Sequence, residues 1–212
     1  MTKINGILIA GQMYSGKSIA ADFLENILLY KTFSFARSLK EMAADHYNAG
    51  KPISKSGAYP VYLKDTKLWV QMNGRDILIK LGEAIKNNFD YSWFYVEEAS
   101  HIQDFFVSKL EADQPSDDIR GFIMDDNRFE EEYLYFRDKF NIKLVYIETN
   151  EKERIRRAVI RDGVTPSQGQ LHSNTEKLSW AARYADIRIV NEFAGEKLFL
   201  LALQEKLLRL NA

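Results

Sequence analysis

The chain has no cysteine, which excludes disulfides and thiolate chemistry and fits a reducing compartment. It has no excess of either charge. Lys and Arg number 29 against 30 Asp and Glu, a formal net charge of −1, so no global basic field argues for nucleic acid or an anionic membrane. Any positive potential must be local. No apolar run approaches the ~18 residues of a membrane span. The first apolar run, Ile4 to Ala10, is too short for the core of a cleavable leader. Internal repeats and low-complexity segments are absent as well. With 212 residues, the chain can bury a substantial core in one domain, or in one domain with an inserted lobe. The expectation is a soluble cytoplasmic protein with neither a membrane nor a nucleic-acid partner.

What is present starts at the front of the chain. Gly11-Gln12-Met13-Tyr14-Ser15-Gly16-Lys17-Ser18 follows the apolar run and opens a segment with Ile19, Phe23, Ile27 and Leu28 at helical spacing. This is G-x-x-x-x-G-K-[ST] in strand–turn–helix context, the phosphate-binding loop pattern. Glycines at 11 and 16 allow the turn and let backbone N–H groups approach phosphate oxygens. The helix N-terminus behind them favours an anion. Lys17 is placed to reach the β- and γ-phosphates, and the Ser18 hydroxyl to ligate Mg²⁺. The candidate ATP-binding residues are therefore Gly11, Tyr14, Ser15, Gly16, Lys17, Ser18 and Ile19. The competing explanation is a chance match in an ordinary turn.

Strand and helix patterns alternate thereafter. Strands are expected at 31–35, 119–124, 142–147 and 187–190, and helices at 17–29, 36–47, 69–88, 92–110, 130–140, 151–160, 178–184 and 196–210. Residues 48–64, with Gly50, Pro52, Gly57 and Pro60, read as loop from their breakers. Residues 112–118 read as an acidic turn. The alternation implies right-handed crossovers and a five-stranded parallel sheet covered on both faces, with the first strand central. The segment from about 48 to 112, mostly helical from about 66, is expected as an insertion that binds substrate. The polar stretch at about 161–176 is expected as a lid that closes over the phosphates.

Phosphoryl transfer needs metal-bridged phosphates and cations around the moving group. Asp125 and Asp126 end an expected central strand, where a carboxylate can hold a metal-bound water. They could equally start a turn or cap the next helix. Arg37, Lys40, Arg75 and Arg128 are candidates to clamp an acceptor phosphate, since cationic side chains hold its oxygens, arginine bidentately. The ordinary alternative is solvated surface cations. Trp93 is a candidate for base stacking or for the core. Arg154, Arg156, Arg157 and Arg161 form a basic run into the lid; Arg157 and Arg161, four apart, share a helix face and are candidate catalytic cations. Asn191, after the last strand, is a candidate for the adenine edge or a turn residue. His172 is as consistent with capping as with substrate contact, and His46 and His101 have no metal-ligand partners. Leu198, Leu201, Leu203, Leu207 and Leu208 could be core or the surface of a homodimer.

Several short motifs occur in a telling order: Phe35-Ala36-Arg37-Ser38-Leu39-Lys40, Gly74-Arg75 with Gly82, Trp93, Asp126-Asn127-Arg128-Phe129, His172-Ser173-Asn174-Thr175-Glu176, and Ala185-Asp186 before Asn191. Together with the phosphate loop, this set resembles the deoxynucleoside monophosphate kinases of tailed bacteriophages, within the P-loop nucleoside monophosphate kinase group. The chain departs from that family at Asp125-Asp126-Asn127-Arg128, where Ser-Asp-Val-Arg is common, and at 172–176, where a His-Pro-Ser-Glu-like stretch is usual. The resemblance implies a single P-loop kinase domain over 1–212: a P-loop NTPase three-layer α/β/α fold, sheet order 2-3-1-4-5, with a helical substrate-binding insertion and a lid. It implies transfer of the ATP γ-phosphoryl group, with Mg²⁺, onto deoxynucleoside 5′-monophosphates. It makes Asp126 the family's acidic position, and Arg37, Lys40, Arg75, Trp93, Asp126 and Arg128 the acceptor site. It also places the protein in a host-cell cytoplasm if the chain is phage-encoded. Two alternatives stand beside this: a P-loop kinase of another small metabolite, with Asp125 or Asp126 as base, and a nucleotide-binding ATPase or switch acting on a macromolecule.

Overall fold

A computed structural model of the chain describes residues 3–54, 57–88, 90–111, 119–163, 165–173, 176–192 and 195–210. The acidic turn expected at 112–118, and Val164, Asn174 and Thr175 of the expected lid, lie outside the described residues. The elements run β1 (Asn5–Gly11), α1 (Lys17–Leu28), β2 (Tyr30–Phe33), α2 (Arg37–Tyr47), β3 (Ala58–Leu63), β4 (Leu68–Asn73), α3 (Gly74–Asn88) and α4 (Ser92–Glu111). They continue with β5 (Gly121–Asn127), α5 (Glu130–Lys139), β6 (Asn141–Glu148), α6 (Glu151–Asp162), α7 (Gln168–Leu171), α8 (Ser179–Tyr184), β7 (Ile187–Val190) and α9 (Glu196–Leu210). The chain divides into two compact units, Met1–Ser34 with His101–Ala212, and Phe35–Ser100. Among the described residues no helix is long and apolar enough to cross a membrane.

The first unit is built on a five-stranded parallel sheet in the order β2-β5-β1-β6-β7. Numbered within the sheet alone, that is 2-3-1-4-5, the expected order. In β1, Ile7, Leu8, Ile9 and Ala10 are buried without a break, because a central parallel strand is covered on both faces. Ile7, Ile9, Ile123, Val145, Ile147, Ile187 and Ile189 meet Ala20, Ala21 and Leu24 of α1, and Phe199 and Leu203 of α9, on one face. Phe122 packs edge-on against Phe136 and Phe140, at 6.0 and 4.9 Å between ring centres. Tyr133 of α5 stacks on Trp180 of α8. The leucines of α9 divide accordingly: Leu203 and Leu207 face the core, while Leu198, Leu201 and Leu208 are exposed.

The second unit corrects the sequence-based assignment of two segments. Residues 58–63, expected as loop, and 68–73, expected as the start of a helix, form an antiparallel hairpin in which Tyr62 pairs with Trp69 and Val61 with Val70. Pro60 and Gly57 suggested a loop, but a two-stranded ribbon has only edges, and an edge tolerates a proline. The aromatic and β-branched residues Tyr59, Val61, Tyr62, Trp69 and Val70 then decide for strand. The strand β4 stops where Asn73 caps α3, its Oδ1 accepting from the Asp76 N–H at 2.9 Å.

Strand β5 also runs further than the apolar pattern indicates, through Asp125, Asp126 and Asn127. Its exit is held by Glu132, a buried carboxylate in the first turn of α5. Glu132 Oε2 accepts from Asn127 Nδ2 at 2.8 Å, from the Arg128 N–H at 2.8 Å and from the Phe129 N–H at 3.0 Å. Phe129 has no side-chain acceptor to cap the helix, so the carboxylate supplies the cap. Glu132→Ala leaves those donors unpaired. It is expected to lower unfolding stability by about 3 kcal/mol, measured by denaturant titration against the wild-type protein.

Candidate active site

The loop between β1 and α1 takes a conformation few side chains permit. Gly16 has φ 102° and Tyr14 φ 61°. A Cβ on Gly16 would sit 2.7 Å from Asn191 Nδ2, and one on Gly11 would sit 2.5 Å from Ser15 Oγ and 2.8 Å from the Ile147 carbonyl oxygen. Glycine is therefore needed at 11 for space, and at 16 for both space and φ.

Other elements hold the loop by its carbonyls. The Ser15 oxygen accepts from Asn191 Nδ2 at 2.7 Å, from Arg157 Nη1 at 3.3 Å and from Thr149 Oγ1 at 3.4 Å. Arg157 also reaches the Tyr14 oxygen, and its Nη2 donates to the backbone and side-chain oxygens of Asn191 at 3.0 and 3.2 Å. The structure thus commits Arg157 and Asn191, candidates for lid charge and adenine contact, to the loop's own backbone. Ser15 Oγ is fully buried without a hydrogen-bond partner.

Arg157 is aimed by Glu153, four residues back on α6, at 2.8 Å. Hydrogen bonds from Arg156, and then from Arg157, hold the Glu153 carboxyl down to about 2 against burial, which pushes the other way.

On the opposite flank, Lys17 Nζ donates to the carbonyl oxygens of Gly11 and Gln12 at 2.6 and 2.9 Å. Arg128 Nη1 donates to the same Gly11 oxygen at 3.2 Å and to Glu176 Oε1 at 3.0 Å. The two strand-end acids separate. Asp125 Oδ2 accepts from Ser18 Oγ at 2.8 Å, whereas Asp126 Oδ2 accepts from Ser34 Oγ at 2.6 Å. Ser18 and Asp125 thus present two hard oxygen ligands side by side, a donor set that fits Mg²⁺ when phosphates and water complete the shell. Asp126, the acid picked out by resemblance, faces a different partner.

At the loop tip, Tyr14 donates through its hydroxyl to Asp162 Oδ2 at 2.8 Å. Arg161 forks onto Asp162, and its guanidinium lies 4.6 Å from the Tyr14 ring centre. Ile19, next along α1, is partly exposed. The expected lid is less irregular than its polarity indicates, because Ser167 caps α7 and Leu171 is fully buried. His172 lies on the surface, 3.3 Å from Glu151.

The other candidates belong to the second unit. Arg37 Nε donates to the buried Glu98 at 2.8 Å, its Nη1 to Glu41 at 3.1 Å, and its Nη2 lies 3.7 Å from Glu97. Its charge is shared by three carboxylates. Lys40 is exposed and Arg75 partly so. Trp93 is 48% exposed at the start of α4 and is no core residue. Sequence reasoning gave Glu132 no role, placed Arg154 only in the basic run into the lid and Glu176 only in the 172–176 motif; all three are buried. The sequence carries no signal of their burial.

No family model matches the sequence, and no curated protein matches it. Solved structures do match. The TT1252 protein of Thermus thermophilus is 14% identical, with 99% of each chain covered and a TM-score of 0.54. A gluconokinase from Sinorhizobium meliloti 1021 is 13% identical, covering 99% of this chain and 95% of its own, with a TM-score of 0.51. The likeness is one of fold, an α/β architecture around a five-stranded parallel sheet.

Because the Glu153 carboxyl is depressed from 4.5 to about 2, its stabilising contribution is complete above pH 4.5 and is lost as pH falls towards 2. Melting temperatures followed from pH 6 to pH 2.5 should fall less steeply in Glu153→Gln than in the wild-type protein.

Proposed function

We propose that the protein is an ATP- and Mg²⁺-dependent kinase that phosphorylates deoxynucleoside 5′-monophosphates to diphosphates. The observation that carries the reading is the convergence of Lys17 and Arg128 on the Gly11 carbonyl oxygen, at 2.6 and 3.2 Å, beside a loop whose glycines leave room for phosphate. A cation from the loop helix and one from the end of β5 meet where donor and acceptor phosphates must meet for in-line transfer.

In this reading the loop N–H groups and Lys17 bind the triphosphate, while Ser18 and Asp125 hold the metal. Mg²⁺ held there would supply positive charge to offset that of the phosphates. Asn191, Thr149 and Arg157 keep the loop in its phosphate-ready shape, so Arg157 supports binding without touching the reacting atoms. Arg161 and Tyr14 form a stacked pair at the loop tip, positioned to shield the nucleotide from water. Arg128 takes the acceptor phosphate. An acceptor already ionised near neutrality needs no strong general base.

A second reading, a kinase acting on a hydroxyl-bearing small metabolite, is favoured by one feature. Arg37 is already held by Glu41, Glu97 and Glu98, a setting less suited to a doubly charged phosphate. A coupled ADP-release assay with the four dNMPs, their ribose counterparts and a panel of sugar acids and polyols separates the two. Turnover with dNMPs is expected, and turnover only with a hydroxyl acceptor overturns the proposal. Lys17→Ala should reduce kcat by about 10²-fold or more. Arg128→Ala should raise KM for the monophosphate at least tenfold.

A further inference from the structure

The donors around Glu176 form an anion seat that the protein fills with its own side chain. Glu176 is 5% exposed. Its Oε2 accepts from the loop N–H of Met13 at 2.6 Å, and its Oε1 from Arg128 Nη1 at 3.0 Å. The backbone is pinned as well, since Gln12 Nε2 donates to the Glu176 carbonyl at 3.2 Å. A carboxylate therefore lies against a backbone N–H of the phosphate loop and against the arginine assigned to a phosphate.

Arg154 shows that this carboxylate is an imperfect occupant. Its side chain is 3% exposed, yet Nε and Nη1 have no hydrogen-bond partner among the described residues. Among the described residues its ion-pair partner is Glu176 Oε2, at 3.6 Å, too far for a hydrogen bond. A buried cation with unmet donors is costly unless something else satisfies them. Arg154 is among the residues lining an open cleft of roughly 660 Å³, with Gln12, Glu148, Thr149, His172 and Glu176. A carboxylate has two oxygens, here already used on Arg128 and Met13. A phosphoryl group has three, and can take the place of both contacts while reaching Arg154.

We infer that Met13 N–H, Arg128 and Arg154 form a binding site for a phosphoryl group of the bound nucleotide, and that Glu176 is its internal competitor, displaced on binding. The inference rests on the kinase reading and adds to it two residues, Arg154 as a ligand and Glu176 as a placeholder. The Glu176 carboxylate gives the loop and Arg128 a defined geometry before substrate arrives, at the expense of affinity.

Calorimetric titration of the full chain tests this with two probes, inorganic pyrophosphate and β,γ-imido-ATP with Mg²⁺. Glu176→Gln keeps the shape and an acceptor oxygen but removes the charge, and should bind both probes about tenfold more tightly than the wild-type protein. Arg154→Met removes an unsatisfied buried cation. It should melt no lower than the wild type and bind pyrophosphate about tenfold more weakly. Equal or weaker binding by Glu176→Gln, or unchanged pyrophosphate affinity in a folded Arg154→Met, overturns the inference. Pyrophosphate binding with the expected shifts, but no binding of β,γ-imido-ATP, supports the seat and rejects the nucleotide reading. If neither probe binds wild type or Glu176→Gln, both are rejected.

Discussion

The carbonyl oxygen of Ser15 accepts hydrogen bonds from three side chains, one after β6, one after β7 and one on α6. Loops this tight are held by whatever occupies their outward-turned carbonyls, because isolated backbone in a left-handed conformation is unfavourable for most residues. Asn191, Arg157 and Thr149 supply that hold here. Gly16 permits it, since any side chain would collide with Asn191. The sheet order matters for the same reason: β6 and β7 lie beside β1 on one side, which brings their ends beneath the loop.

Carboxylates decide what each arginine does. Glu153 points Arg157 at the loop, Asp162 lays Arg161 over Tyr14, Glu176 draws Arg128 beside Gly11, and three acids gather around Arg37. Geometry thus separates Arg157, which braces the loop backbone, from Arg128, which reaches the Gly11 carbonyl oxygen. Glu132 works on the backbone in the same way, closing the turn that carries Arg128.

The glycine-bounded loop, the alternation of strands and helices, and the apolar core strands were legible because each depends on neighbours in sequence. The hairpin of the second unit was not. Its strands are short and its breakers genuine, and the pairing of Tyr62 with Trp69 depends on a partner strand rather than on local pattern. The division of labour between Asp125 and Asp126 was equally hidden. Adjacent acids on a strand point in opposite directions, and which one meets Ser18 depends on the register between β1 and β5, which shifts after Leu8.

By itself, the sequence determined that a glycine-bounded loop joins a buried strand to a helix, and that a parallel sheet follows, since backbone freedom and apolar periodicity are local properties. Only the tertiary structure decided which cation faces which anion. Arg128 and Glu176 are separated by 48 residues, and Asn191 and Ser15 by 176. Electrostatic partnership depends on distance in space, which the chain acquires only when the sheet has formed.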